Sequence, residues 1–100
     1  MRFMSKKRAK RAKERRTLVE RVLDDRPICE RCGMNPSTDV HEVIRRSQWR
    51  DGIYVMDNLR ALCRRCHRWI TEHPQSAHDE GFSAWSWERD KYLADEDGRP

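Results

Sequence analysis

Two pairs of cysteines are the strongest chemical signal in the 100-residue sequence. Cys29 and Cys32 form one C-x-x-C pair, Cys63 and Cys66 form the other, and no cysteine is left over. Two intervening residues let both thiolates of a pair reach one ion at about 2.3 Å, and two pairs complete the tetrahedron that zinc prefers. Gly33, directly after the first pair, suits a knuckle that needs a positive φ. The pattern predicts a structural Zn²⁺ site, with two disulfides or four buried thiols as the alternative.

Catalysis must come from other side chains, because a four-thiolate site is closed and has no open coordination position. His41 lies between the two cysteine pairs, and His67 follows Cys66 directly. Closing the zinc site therefore brings both imidazoles into the same small volume. Asn58 lies between them in sequence. A lone histidine is more often structural or exposed, but the order His, Asn, His, interleaved with the cysteine pairs, favours a functional site.

Several short segments, taken in order, resemble a known family. They read Cys29-Glu-Arg-Cys32-Gly, then Asp39-Val-His41-Glu-Val-Ile, then Asp57-Asn58-Leu-Arg-Ala-Leu-Cys63-Arg-Arg-Cys66-His67-Arg-Trp-Ile. Over roughly residues 28–74 the sequence resembles the HNH endonucleases, and it is most similar to the small four-cysteine type of bacteriophages and prophages. The resemblance implies an α+β fold with a ββα-metal (His-Me finger) core, in which two strands and a helix hold one divalent ion. The four-cysteine zinc site would staple this core.

The resemblance also implies roles for the site residues. His41 and His67 would bind the catalytic ion, a divalent metal such as Mg²⁺, Mn²⁺ or Ni²⁺, and Asn58 would either hydrogen-bond the loop that orients the site or help to hold that ion. Phosphodiester hydrolysis by in-line attack requires a base for the water and a cation over the developing negative charge. The implied activity is nicking or double-strand cleavage of duplex DNA with low sequence specificity. The implied setting is phage DNA processing or packaging, beside a terminase or a similar protein.

The sequence departs from the family pattern at Glu42, where the family commonly has the histidine that acts as general base. Three interpretations follow: Glu42 is the base, His41 is the base with Glu42 as an added ligand, or the site is impaired. Adjacent residues of a strand point to opposite faces, so both side chains can serve one site only if the strand is distorted. The family's Gly-Gly loop is also replaced, by Ser47-Gln-Trp-Arg-Asp-Gly52. An active nuclease is the preferred interpretation.

Positive charge is concentrated in the first two thirds of the chain. Residues 1–16 carry nine Lys or Arg and one Glu, residues 26–68 carry nine Arg against five acids, and residues 76–100 carry three basic groups against seven acids. Cations set against phosphates release counterions, so this layout suits a polyanion, with a solvated helix or solubility tail as the alternative. The residues predicted to contact DNA are Lys6, Lys7, Arg8, Lys10, Arg11, Lys13, Arg45, Arg46, Arg64, Arg65 and Arg68.

Local patterns place these residues on structural elements. The segment from Ser5 to Asp25 has no Gly or Pro and ends in an apolar stripe, which predicts a helix that Pro27 terminates. The predicted elements are a helix at 5–25, a strand at 40–44, a loop at 45–57, a helix at 64–73 stopped by Pro74, and one helical turn at 76–80 capped by Gly81. Trp85 and Trp87 either close the small core over the N-terminal helix, which is the preferred interpretation, or face a partner.

Composition limits the chain to one thin core. Apolar residues are 36% and charged residues 39%, so the chain must either stay partly disordered or gain stability from a metal, from disulfides or from a partner. The expected division is a basic N-terminal helix or arm at 1–25, a nuclease core at 26–74, and a C-terminal extension at 75–100 with an acidic, disordered tail. No apolar run suits a membrane span, and residues 1–16 lack the apolar core of a secretory signal, so we expect a cytoplasmic protein, in the host cytoplasm if phage-encoded.

Two other functions fit the same residues. One is a non-catalytic, zinc-stabilised DNA-binding module that kept the fold and lost the base. The other is an adaptor whose acidic, aromatic C-terminal segment docks a larger DNA-processing enzyme.

Overall fold

The computed structural model of the chain describes residues 6–93. The elements in order are α1 (Lys6–Asp25), β1 (Asp39–Glu42), 3₁₀ turns at Arg50–Tyr54 and Met56–Asn58, β2 (Leu59–Leu62), α2 (Arg64–Glu72), α3 (Pro74–Asp79), a 3₁₀ turn at Ser86–Glu88, and α4 (Asp90–Leu93). This small α+β fold, with strand, strand and helix in sequence, confirms the predicted class and is consistent with a ββα-metal core. The predictions for residues 1–5 and for the tail after Leu93 lie outside the described residues.

The two strands pair antiparallel, and their register gives the sheet two different faces. Asp39 pairs with Leu62 and His41 with Arg60, while the residues between them pair Val40 with Ala61 and Glu42 with Leu59. Because successive side chains of a strand alternate, Asp39 and His41 share one face, and Glu42 lies on the other. The Glu42 side chain therefore points to the face opposite the one that Asp39 and His41 share.

Helix α1 covers the face that carries Glu42. Its sequence of Lys, Arg, Ala, Glu and Leu consists of good helix formers, and its observed bounds match the predicted helix from Lys6 onward. Only the second half is apolar: Val22 is fully buried against Leu59 and Ala61, with Leu18 packed beside it. Burial of that one valine contributes about 1.5–3 kcal/mol. Within residues 6–93, no helix combines the length and the apolar composition that crossing a membrane requires.

Helix α2 and the cysteines cover the opposite face of the sheet. Leu62, Ile70 and Ala77 are buried together with three of the four cysteines. Helix α2 ends at Glu72, one residue earlier than predicted, and Pro74 then occupies the first position of α3, where its missing N–H costs nothing. Gly81 follows α3 with a φ of 84°, as a helix-terminating glycine should.

The stretch after β1 is a loop and not a longer strand. Val43 and Ile44 are buried in a third cluster with Trp49, Val55 and Ala84, so they leave the sheet to fill the space beneath the loop. Residues 45–57, predicted as a loop, contain the first 3₁₀ turn and the start of the second, which ends at Asn58.

The prediction that Trp85 and Trp87 close the core is wrong. Their exposed fractions are 46% and 75%. Ala84 takes the buried position in this segment, and its N–H donates to the carbonyl of Val43 at 3.0 Å. Trp85 follows in extended backbone, so it lies on the outer side of the segment.

Candidate functional site

The four cysteines form one cluster at the junction of the knuckle loop, β2 and α2. All four Sγ atoms lie within 4.8 Å of one another, and none is in a disulfide. The first knuckle turns at Gly33, whose φ of 67° is the positive value that its position predicts. The backbone N–H of Cys32 donates to Cys29 Sγ, and that of Cys66 to Cys63 Sγ, each at 3.5 Å. The chain thus presents a four-cysteine metal site whose soft donors suit zinc.

The pKa values of the thiols are shifted in opposite directions within the cluster. Burial raises the pKa of Cys29, but backbone N–H donors led by that of Cys32 outweigh burial and lower the pKa from 9.0 to about 6. The N–H of Cys66 likewise lowers the pKa of Cys63. Burial raises the pKa of Cys66 to about 12, so a metal must displace the proton from this thiol. Arg31 Nη1 and Asn35 Nδ2 each approach a cysteine sulfur at 3.7 Å and add donors around the cluster.

Beside the cysteine cluster, β1 and α2 bring two histidines together. The ring centroids of His41 and His67 are 5.3 Å apart, with the rings at 66°. His41 is partly buried, and its Nε2 lies 2.6 Å from the carbonyl oxygen of Phe82. A carbonyl only accepts, so Nε2 carries the proton and Nδ1 carries the lone pair. Burial lowers the pKa of His41 below 6.5, so the ring is neutral at pH 7.

Asp39 is a site residue that the sequence interpretation missed. Its Oδ2 lies 2.9 Å from His67 Nδ1, and Arg64 Nε lies 2.9 Å from the same oxygen. Burial raises the pKa of Asp39, but hydrogen bonds led by that of His67 outweigh it and hold the pKa below 3.8. The signal was present in the sequence, because Asp39 precedes His41 by two residues and a strand places such residues on one face.

The donor set beside His41 fits a divalent metal. In an octahedral site with ligands at about 2.1 Å, neighbouring ligand atoms are roughly 3 Å apart, which is the spacing between Asp39 Oδ2 and His67 Nδ1. One carboxylate oxygen and one imidazole nitrogen form a donor pair that first-row divalent ions accept. Among residues 6–93, the cysteines are the one group of three or more His, Cys, Asp or Glu whose ligand atoms cluster, so Asp39 and His67 would offer an ion two close ligands.

The Glu42 carboxylate is bound to two arginines and not to these groups. Its carboxylate pairs with Arg15 Nη2 of α1 at 3.4 Å through Oε2 and with Arg46 Nη2 at 3.7 Å through Oε1. Strand β1 keeps a regular register through Glu42, so the distortion that would bring its side chain to the His41 face is absent there.

Asn58 is fully buried and holds the loop after β1. Its Oδ1 accepts the N–H of Ile44 at 2.8 Å, and its Nδ2 donates to the carbonyls of Ile44 at 3.2 Å and Gly52 at 3.0 Å. These bonds use both the oxygen and the nitrogen of the amide, and they join the residues after β1 to the 3₁₀ turn that contains Gly52.

The residues predicted to contact DNA fall on three surfaces. Lys6, Lys7, Arg8, Lys10, Arg11 and Lys13 are exposed on α1; Arg45 and Arg46 are exposed in the loop after β1; and Arg64, Arg65 and Arg68 are exposed on α2. Arg64 is bound to Asp39 and Arg46 to Glu42, so these two have protein partners. Arg15 and Arg50, which the sequence interpretation did not select, join three of these arginines in lining a cavity of about 350 Å³ between α1 and the loop.

The comparisons with known proteins agree with this arrangement. The family model described as HNH endonuclease matches residues 29–73, the segment that holds the four cysteines, both histidines, Asp39 and Asn58. No curated protein and no solved structure gives a significant match to the chain.

Proposed function

We propose, on the premise that residues 29–73 are an HNH endonuclease domain, that the chain is a metal-dependent DNA endonuclease acting at Asp39, His41 and His67. The observation that carries this proposal is the pair formed by Asp39 Oδ2 and His67 Nδ1, 2.9 Å apart, beside a histidine whose Nε2 is fixed on a carbonyl. The cysteine cluster holds the fold and takes no part in the reaction.

The Asp39 and His67 pair would hold the catalytic ion. When bound, an ion such as Mg²⁺, Mn²⁺ or Ni²⁺ would stabilise negative charge on the phosphate and on the leaving oxygen. Asp39 supplies the anionic oxygen, and Arg64 and Thr38 orient that carboxylate through their own hydrogen bonds to it. His67 is fixed by its place in the first turns of α2, directly after the last cysteine.

His41 is the general base in this proposal. Its Nε2–H donates to Phe82, which fixes the tautomer and leaves Nδ1 to take a proton from the attacking water. Of the three interpretations of the Glu42 substitution, this geometry supports the one in which His41 is the base. It does not support Glu42 as an added ligand, because the Glu42 carboxylate pairs with Arg15 and Arg46.

The exposed arginines supply contacts for the DNA backbone. Guanidinium groups hold phosphates through paired hydrogen bonds, and such contacts position the duplex without reading its sequence. Low sequence specificity is therefore part of the proposal. A role in phage DNA processing beside a terminase rests on the resemblance to the small four-cysteine members of the family.

A nicking assay on supercoiled plasmid tests the proposal. Zinc-loaded protein should relax the plasmid with Mg²⁺, Mn²⁺ or Ni²⁺ and should be inactive when no such ion is added. His67→Ala and Asp39→Ala should abolish nicking while zinc content and near-UV circular dichroism stay unchanged. His73→Ala is the matched control, since His73 is exposed beyond the end of α2, and it should retain activity.

The division of roles has its own readout. His41→Ala should lower the rate by roughly 10²- to 10⁴-fold without changing the metal concentration for half-maximal activity, as loss of a general base does. Asp39→Asn should instead raise that concentration. A protein that binds duplex DNA but nicks nothing in any of these metals would be the non-catalytic DNA-binding module.

A further inference from the structure

Two tryptophans lie beside one another on the surface of the C-terminal segment. Trp85 and Trp87 stack with ring centroids 5.3 Å apart and planes at 12°. Trp87 is 75% exposed, so much of its ring surface meets solvent. Large exposed aromatic rings are uncommon in a monomer and mark surfaces that bind something.

The backbone under these rings is held in place. The Glu88 carboxylate accepts the N–H of Trp85 at 2.7 Å and also contacts Lys91 Nζ at 3.3 Å and His78 Nε2 at 3.4 Å. On the inner side, Ala84 is buried and bonded to Val43. The stacked rings are therefore mounted on a fixed turn, and a ligand that contacts them need not order the segment first.

A groove leads from the tryptophans to the proposed active site. One cavity, of about 280 Å³, is lined by His41, and a second, of about 270 Å³, is lined by Trp85. The two cavities share Arg45, Pro74 and Ser83, so they adjoin. The path between the general base and the stacked rings is thus continuous along the protein surface.

The lining of this groove suits a nucleic-acid strand. The cavity at Trp85 carries Arg45, His78 and two glutamines, and no carboxylate side chain lines it. In the cavity at His41, Glu42 is the one acidic residue of the lining, and its carboxylate is paired with Arg15 and Arg46. A cationic side chain between a phosphodiester site and an aromatic stack matches the alternation of phosphate and base along one strand.

We infer that Trp85 and Trp87 form a stacking platform for an unpaired nucleobase, on the strand whose backbone passes Arg45 toward His41. That this strand belongs to a nucleic-acid substrate rests on the proposed nuclease function. A base within a duplex has both faces covered by its neighbours, so the exposed ring of Trp87 selects a base that is unstacked. The platform therefore favours single-stranded regions, overhangs or flaps over continuous duplex.

Binding measured without cleavage tests the platform. Zinc-loaded full-length protein, with no other divalent ion, is titrated onto a fluorescently labelled oligothymidylate and, separately, onto a blunt duplex of the same length. Trp87→Ala should weaken oligothymidylate binding by about 5- to 100-fold, the value of one base stacked on an aromatic ring, while duplex binding changes little. Trp87→Phe should recover most of the affinity, because it keeps an aromatic face.

Met34→Ala is the matched control, since Met34 is an equally exposed apolar side chain, 82% accessible, in the knuckle loop. It should bind both probes as the wild type does. The inference would be overturned if wild type, Trp85→Ala and Trp87→Ala bound oligothymidylate with equal affinity, and this result would point to a protein partner for the surface. It would also be overturned if Met34→Ala lost as much oligothymidylate affinity as Trp87→Ala. If the wild type nicks no plasmid yet Trp87→Ala loses oligothymidylate affinity, the platform stands and the proposed catalysis fails.

Discussion

The Asp39 carboxylate and the His67 imidazole meet at 2.9 Å although 28 residues separate them in sequence. Strand β1 supplies one and helix α2 the other, and two of the clustered cysteines, Cys63 and Cys66, lie at the start of α2. A metal bound by the four cysteines would therefore help to position the pair that is proposed to hold the catalytic ion. The two atoms share a hydrogen bond that keeps both side chains in place.

Loss of one zinc ligand should unfold the domain. Structural zinc contributes about 10–16 kcal/mol of binding free energy, which exceeds what so small an apolar core supplies. Cys66→Ser should therefore lose near-UV circular dichroism and one equivalent of tightly held zinc, measured by metal analysis of the purified protein. A Cys66→Ser variant that melts like wild type and keeps its zinc would refute the four-thiolate assignment.

Asn58→Ala should destabilise the fold without removing zinc. The substitution leaves the N–H of Ile44 and the carbonyls of Ile44 and Gly52 without their present partner, at about 1–3 kcal/mol for each group that stays unsatisfied. We expect a loss of about 2–4 kcal/mol in urea unfolding. Gln75→Ala, which removes an exposed amide, should stay within about 0.5 kcal/mol of wild type. Equal stability of both variants would contradict the role given to Asn58.

Short-range patterns made the metal cluster and the main elements predictable. The C-x-x-C spacing, Gly33 and the uninterrupted helix formers of α1 each act within a few residues, so the sequence alone indicates them. Glu42 was harder, because its partner Arg15 lies 27 residues away on another element. In the family pattern the position of Glu42 is that of the general base. The alternation of side chains along β1 instead places the Glu42 side chain against α1.

Asp39 and the tryptophans show the opposite errors. The spacing between Asp39 and His41 already indicated a shared strand face, but the family pattern points to the residue after His41 and so favoured Glu42. Trp85 and Trp87 were predicted to be core residues on residue type alone. In a chain this polar the core is small, and in this segment Ala84 is buried and Phe82 packs against the core, while both tryptophans stay outside.

The acid limb of the pH–rate profile should lie below pH 6.5. Burial holds the pKa of His41 below its ordinary 6.5, so the base stays deprotonated to lower pH than an exposed histidine would. Between the pKa of His41 in the folded state and its higher pKa in the unfolded state, the unfolded chain binds more protons. In that pH window the free energy of unfolding therefore rises with pH and falls as the pH drops.

NMR of the zinc-loaded protein without the catalytic ion measures the pKa and the tautomer of His41 directly. The His41 ring nitrogens should show the Nε2–H tautomer and a pKa below 6.5. A proton on Nδ1 would exclude His41 as the base proposed here, and a His41 pKa above 6.5 would contradict the predicted acid limb.

The arginine cavity between α1 and the loop should contribute to duplex binding through phosphates. Arg11 and Arg50 line it from opposite sides. Arg11→Gln with Arg50→Gln should weaken binding similarly for unrelated sequences and flatten the dependence of log K on log salt by about 0.9 for each phosphate that is no longer neutralised. Arg16→Gln, on the same helix but outside the cavity, should leave the slope nearly unchanged. An unaltered slope in the double variant would reduce the cavity to a solvated surface.

Glu42→Gln separates the structural role of this carboxylate from the catalytic ones. Because Glu42 pairs with Arg15 and Arg46 on the far side of β1, we expect nicking within a few-fold of wild type and an unchanged metal requirement. The free energy of unfolding should fall by about 1 kcal/mol or less, since the pair is partly exposed, and Arg15→Gln should add little to that loss. A rate loss of roughly 10²- to 10⁴-fold at unchanged metal affinity would instead make Glu42 the base. A raised metal requirement that Mn²⁺ relieves would make it a ligand.

Glu42→His restores the residue common in the family, and it should raise the rate only if the natural site is impaired. Because β1 is regular through Glu42 and points this side chain to the face opposite His41, we expect no increase in the nicking rate of Glu42→His.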